Sequence, residues 1–130
     1  MKSLEIEESY YSPRISFDVR HNEFVISGES YLEHAYEFYK PVINWLEQYL
    51  KNNKNPLTIQ FQLTYFNTPS SGMIFTILKM LEEYQQAQHI PIKIAWFVSP
   101  NNEELLAEGE MFKEDFPTLP FEFKIPTMVA

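Results

Sequence analysis

The segment Leu57–Glu83, LTIQFQLTYFNTPSSGMIFTILKMLEE, decides the fold. Leu57, Ile59, Phe61, Leu63 and Tyr65 alternate with Thr58, Gln60, Gln62 and Thr64, which predicts a strand with one buried face. Ile74, Ile77, Leu78 and Leu81 then recur at the spacing of one helix face. The loop Asn67-Thr68-Pro69-Ser70-Ser71-Gly72 joins the two. In it Thr68 stands where an N-cap belongs and Pro69 reads as the first helical residue, holding Thr68 in the extended geometry of a cap. A hydroxyl at the positive end of a helix either caps it or carries a phosphate that the same end favours. The two readings give the chain different functions.

Working outward, Ile15 and Phe17 alternate with Ser16 and Asp18, and Phe24-Val25-Ile26 follows the turn region Val19–Asn22, a β-hairpin pattern. Residues 1–9 read as a loose or edge-strand segment. Ser30 and Glu33 have the spacing of a capping box opening a helix that runs to about Lys51. Pro41 inside that run predicts a kink near Glu37 or two short helices. Ile92–Val98 is almost continuously apolar, the pattern of a strand buried on both faces. Glu103 to about Lys113 reads as a third helix, with Gly109 as the residue that argues against it. Phe121–Ile125 closes the series as a strand. The order β-β-α-β-α-β-α-β predicts an α/β fold in one domain over residues 1–130. It has a mixed, mostly parallel sheet, flanking helices and an N-terminal antiparallel hairpin. In such sheets the working surface lies beyond the strand C-termini, where the Thr68 loop falls.

Composition narrows the function. A chain of 130 residues with 45% hydrophobic and 16% aromatic content has a core to bury. A net charge of −8 argues against nucleic acid or an anionic membrane as partner. There is no cysteine, which removes thiol nucleophiles and thiolate metal sites and fits a cytosolic protein. The opening Met1-Lys2-Ser3-Leu4-Glu5-Ile6-Glu7-Glu8 has carboxylates where a secretion signal needs an apolar run. His21, His34 and His89 lack the paired spacing of metal ligands. Glu103, Glu104, Glu108, Glu110, Glu114 and Asp115 read as a solvated face, and Tyr10, Tyr11, Tyr36, Tyr39 and Tyr49 as core and rim packing. With three glycines and no P-loop, nucleophile elbow or zincin motif, no catalytic constellation is present, and neither cofactor nor metal is expected.

Four stretches carry a resemblance: Tyr11-Ser12-Pro13-Arg14-Ile15-Ser16-Phe17-Asp18, Ile26-Ser27-Gly28-Glu29-Ser30-Tyr31, Leu63-Thr64-Tyr65-Phe66-Asn67-Thr68 and Phe112-Lys113-Glu114-Asp115-Phe116-Pro117. Their order resembles the SiaC family of bacterial regulatory phosphoproteins over about Tyr11 to Phe123. The resemblance implies a fold similar to anti-sigma-factor antagonists (STAS-like). It also implies that Thr68 accepts phosphate from a cognate protein kinase and loses it to a PP2C-type phosphatase. The unphosphorylated form would bind and activate an effector, a diguanylate cyclase in the best-known system. Tyr65, Phe66, Asn67, Pro69, Ser70, Ser71, Gly72 and Met73 would then form the phosphosite loop and docking surface, with the amides of Ser70, Ser71 and Gly72 receiving the phosphate. Two positions depart from the family: Pro69 where serine is common, and Gly72 where a lysine occurs. Three other readings compete: a small-molecule sensor of the same fold, a small enzyme using the carboxylates near Glu108, and a constitutive interaction module in which Thr68 only caps.

Overall fold

The computed structural model describes residues 1–126. The expectation of one domain extends to residues 127–130, which lie outside the described residues. In chain order the elements are β1 (Leu4–Ile6), β2 (Arg14–Asp18), β3 (Glu23–Ser30), α1 (Ala35–Asn52), β4 (Leu57–Phe66), α2 (Thr68–Gln88), β5 (Ile92–Phe97), α3 (Glu103–Asp115) and β6 (Phe121–Lys124). The strands form one six-stranded sheet in sequence order. β1, β2 and β3 pair antiparallel, and β3 to β6 pair parallel. The α/β class, the initial hairpin and the mostly parallel sheet therefore hold, and part of residues 1–9 is the edge strand β1.

Right-handed crossovers between parallel strands taken in chain order place α1, α2 and α3 on the same face of the sheet. Exposure agrees with that arrangement. Ile15, Phe17, Phe24, Ile26, Ile59, Phe61, Ile94 and Trp96 are buried toward the helices, against Tyr39, Val42, Leu46, Ile74, Ile77, Leu78 and Leu81. The opposite face carries Ser16, Val25, Gln60, Gln62 and Lys93, all partly or fully exposed. β5 is thus not covered on both faces, as its apolar run predicts. Lys93 is exposed, while Ala95 is buried because it is short and sits between the longer Gln60 and Glu122 in register.

Two local expectations give way. Ser30 does not open a helix: it is the last residue of β3, paired with Phe66 and fully buried, and its hydroxyl is used inside the protein. α1 begins at Ala35 after His34, without a side-chain cap. The run through Pro41 is one helix of 18 residues and not two. Pro41 is exposed, so water can reach the carbonyl left without a donor there. Gly109 lies well inside α3 and is buried, and a Cβ there would come within 2.5 Å of the Trp96 ring nitrogen and 2.8 Å of Phe123. That glycine is what lets α3 approach the sheet.

Candidate functional site

At the C-terminal ends of β3 and β4 the register slips. Gly28 pairs with Leu63 but Glu29 pairs with Tyr65, which leaves Thr64 as the extra residue of a β-bulge. Gly28 has φ +99°, a conformation natural to glycine. The extra residue reverses the alternation of β4. Tyr65, expected on the buried face, turns outward, and Phe66 turns in to meet Trp96 and Phe112 at ring-centroid distances of 6.0 and 6.3 Å. A bulge beside a working loop re-aims side chains in this way.

The helix cap also moves by one residue. Asn67, not Thr68, is the N-cap of α2: its backbone is extended and its Oδ1 accepts from Ser70 N–H at 3.1 Å. Its Nδ2 donates to the Leu32 carbonyl at 2.9 Å, tying the cap to the loop after β3. Asparagine ranks above threonine as a cap. Thr68 and Pro69 are therefore the first two helical residues, and both are exposed. Ser71 N–H makes the first helical bond, to Asn67 O at 2.9 Å. The amides of Ser70 and Ser71, expected to receive a phosphate, are thus already engaged.

Ser70 is fully buried and cannot touch a partner or accept a phosphate while α2 stays docked. Its hydroxyl donates to the Ser30 carbonyl at 2.9 Å and accepts from the Ser30 hydroxyl at 2.7 Å. With its one proton spent there, the Ser30 hydroxyl must accept from Tyr39 OH at 2.8 Å. Burial pushes the Tyr39 phenol up to about 12, partly offset by the hydrogen bond with Ser30, so it stays a neutral donor through the physiological range. This chain of three hydroxyls joins β3, α1 and the first turn of α2, and it fixes the turn that carries Thr68. Met73 is half-buried against the core, Ser71 is half-buried, and Gly72 is exposed with open space around it. The gap at Gly72 would admit a longer side chain.

Thr68 borders a groove of about 620 Å³ between the starts of α2 and α3. Asn102 caps α3, accepting from Leu105 N–H at 3.1 Å and donating to the Thr64 carbonyl at 3.4 Å, so it braces one groove wall against the bulge. Glu104 and Glu108 line the same groove and are exposed. The rest of the acidic series is solvated as expected. His21, His34 and His89 do not converge. His89 closes α2 in the left-handed conformation, its N–H bonded to Gln85 O. Among the described residues no group of three or more His, Asp or Glu side chains is placed to hold a metal ion.

The tyrosine expectation needs correction. Tyr39 is buried and Tyr49 half-buried, but Tyr10, Tyr11 and Tyr36 are exposed. Tyr10 and Tyr11 join Tyr31 and Tyr65 in a surface row ending beside the Asn67–Gly72 segment. Sequence reading missed Tyr31 as a surface contact and Asn102 as a groove wall, and it read Glu104 and Glu108 as a solvated face without placing them beside Thr68. The bulge and the parallel pairing of β3 with β4 and of β4 with β5 bring these parts of the chain to one edge.

Comparison with known proteins agrees with this geometry. The model of the SiaC family regulatory phosphoproteins matches residues 6–125. An uncharacterized protein of Pseudomonas aeruginosa (strain UCBPP-PA14) is 33% identical over 115 residues, covering 88% of this chain and 90% of the relative. Apo-SiaC from Pseudomonas aeruginosa superposes with a TM-score of 0.86 at 32% identity, covering 95% of this chain and 99% of that one. A similar match, TM-score 0.87 at 31% identity over 95% of this chain and 99% of that one, comes from a crystal structure of the diguanylate cyclase SiaD in complex with its activator SiaC. Among the described residues no helix is long and apolar enough to cross a membrane. The chain belongs to the SiaC family of regulatory phosphoproteins.

Proposed function

We propose that this chain is a single-domain cytoplasmic phospho-switch and not an enzyme. A cognate protein kinase phosphorylates Thr68, a PP2C-type phosphatase reverses it, and the unphosphorylated form docks on and activates an effector of the diguanylate cyclase class. The observation that carries this reading is the division of labour at the start of α2. Asn67 supplies the cap, so the exposed Thr68 hydroxyl has no capping duty to explain it. In the constitutive reading Thr68 serves as the cap, a role that Asn67 fills.

A phosphate on Thr68 adds about −1.5 to −2 charges at pH 7. The α2 dipole favours that charge by roughly 0.3–1 kcal/mol at an exposed position. Glu104 and Glu108 across the groove oppose it. These small opposing effects leave the fold in place, so the new charge acts on the docking partner. Any surface seated on the loop, on Tyr65, Pro69 and the groove wall, must then desolvate a dianion.

The test is phosphosite mass spectrometry on the protein recovered from its host, paired with pull-downs by Thr68→Ala and Thr68→Asp variants. Phosphate on Thr68, with an effector retained by the Ala variant and lost by the Asp variant, is expected. An unmodified Thr68 under every growth condition, or the same partners for both variants, would sink the proposal.

A further inference from the structure

Apart from the Thr68 groove, the most unusual part of the surface is its row of tyrosines. Tyr10 is 84% exposed, Tyr11 56%, Tyr31 51% and Tyr65 43%, so four large rings face solvent without a protein neighbour to cover them. They touch in sequence: Tyr10 to Tyr11 at 4.8 Å between centroids, Tyr11 to Tyr31 at 6.4 Å, and Tyr31 to Tyr65 at 5.8 Å. Three separate parts of the chain supply them, the segment before β2, the end of β3 and the end of β4. The bulge at Thr64 turns Tyr65 outward to complete the row. Glu29 lies among these rings, and Glu33 borders the adjoining depression that reaches Asn67 and Pro69. No lysine or arginine lines either depression, and neither carboxylate belongs to an ion pair among the described residues.

We propose that this row, with Glu29 and Glu33 on its rim, is a docking surface for an arginine-bearing segment of a partner protein. Ring faces attract a cation through their quadrupole, and a guanidinium also stacks flat on them while its edge reaches a carboxylate. Arginine is the side chain that uses both features at once. A second copy of this chain is a poor occupant, because each copy carries a net charge of −8 and would bring its own carboxylates to the contact. The row serves a chain that works by binding other proteins, as proposed above. It shares Tyr65 with the surface the effector meets, but a phosphate on Thr68 attracts a cationic side chain and does not repel it, so the foothold persists in both phosphorylation states. A kinase, which meets the free hydroxyl, and a phosphatase, which meets the ester, both need such a foothold.

The test is an NMR titration of the labelled chain with a short acetylated, amidated arginine–serine peptide, beside the same peptide with citrulline for each arginine. Saturable shifts are expected around Tyr10, Tyr11, Tyr31 and Tyr65 with the arginine peptide only. The Thr68→Asp variant should bind it at least as tightly as the wild type does, since its added charge has the sign that attracts the peptide. Changing Tyr31 and Tyr65 together to leucine keeps apolar bulk and removes both ring faces, and is expected to weaken binding on the order of 5- to 30-fold. Glu29→Gln is expected to weaken it in the same direction. Both tyrosines are exposed, and an unchanged melting temperature checks that the variant folds. Shifts spread over the acidic face of α3, equal binding of the citrulline peptide, no saturable shift, or indifference to the leucine pair would each overturn the proposal. So would a wild-type dimer in sedimentation that the leucine pair dissociates. Because no arm requires phosphate on Thr68, these outcomes are separate from failure of the phospho-switch.

Discussion

Asn67 and Thr68 are adjacent, polar and both able to cap a helix, and the structure gives them different work. The Asn67 carboxamide is used at both ends, accepting from Ser70 N–H and donating to the Leu32 carbonyl. Thr68 is exposed on the first turn. Removing the Asn67 side chain should therefore expose two unmet backbone groups at the loop, at a cost of about 1–2 kcal/mol. Thr68→Ala removes a surface hydroxyl and should change stability by no more than about 0.5 kcal/mol. Urea denaturation of the two variants measures both numbers. A Thr68→Ala loss as large as that of Asn67→Ala would return the cap to Thr68 and remove the observation on which the switch rests. Sequence reading places the cap on Thr68, and the structure moves it one residue back, to Asn67.

At the scale of elements, the contact of α3 with the sheet turns on Gly109. A methyl group there would meet the Trp96 ring at 2.5 and 2.7 Å and Phe123 at 2.8 Å. Trp96 cannot easily yield, since it is buried and its ring N–H is held by the Leu105 carbonyl at 3.1 Å. Overpacking of this kind costs about 1–3 kcal/mol, against a gain of up to about 1 kcal/mol in helix propensity. Gly109→Ala is expected to be destabilising in thermal melts and to quench or shift Trp96 fluorescence as α3 lifts. A more stable variant would mean that the helix has room the structure denies it. Element type was readable throughout, because the period-2 and period-3.6 patterns of β4, α2 and α1 are long and regular. What stayed hidden were junctions set by long-range pairing. Ser30 looks like a cap until its strand is extended by pairing with Phe66. Tyr65 looks buried until Thr64 is found unpaired. Gly109 looks like a helix breaker until Trp96 is placed beneath it. The tyrosine row was invisible for the same reason, since its members come from three segments that only the assembled sheet edge brings together.

At the scale of the whole molecule, core and site occupy different places. The core lies between the three helices and one face of the sheet, centred on Phe17, Phe24, Phe61, Leu46, Ile74 and Trp96. The loop that carries Thr68 sits beyond the strand ends, and its tie to the interior is the buried Tyr39–Ser30–Ser70 hydroxyl chain. Ser70 is fixed by that chain and by the Asn67 cap, so a charge on exposed Thr68 has no buried contact of its own to break. Its field acts across the groove, on the first two turns of α3 with Glu104 and Glu108. In the Thr68→Asp variant, amide hydrogen exchange should therefore change only across residues 64–72 and 102–108. Protection in β3, β4 up to Leu63 and β5 should stay at the wild-type level, because exchange there requires opening of the core. Loss of protection in those central strands would show that charge at Thr68 acts by loosening the domain. Confinement to the two helix starts would locate the switch in the surface a partner meets, with the sheet serving as a rigid mount.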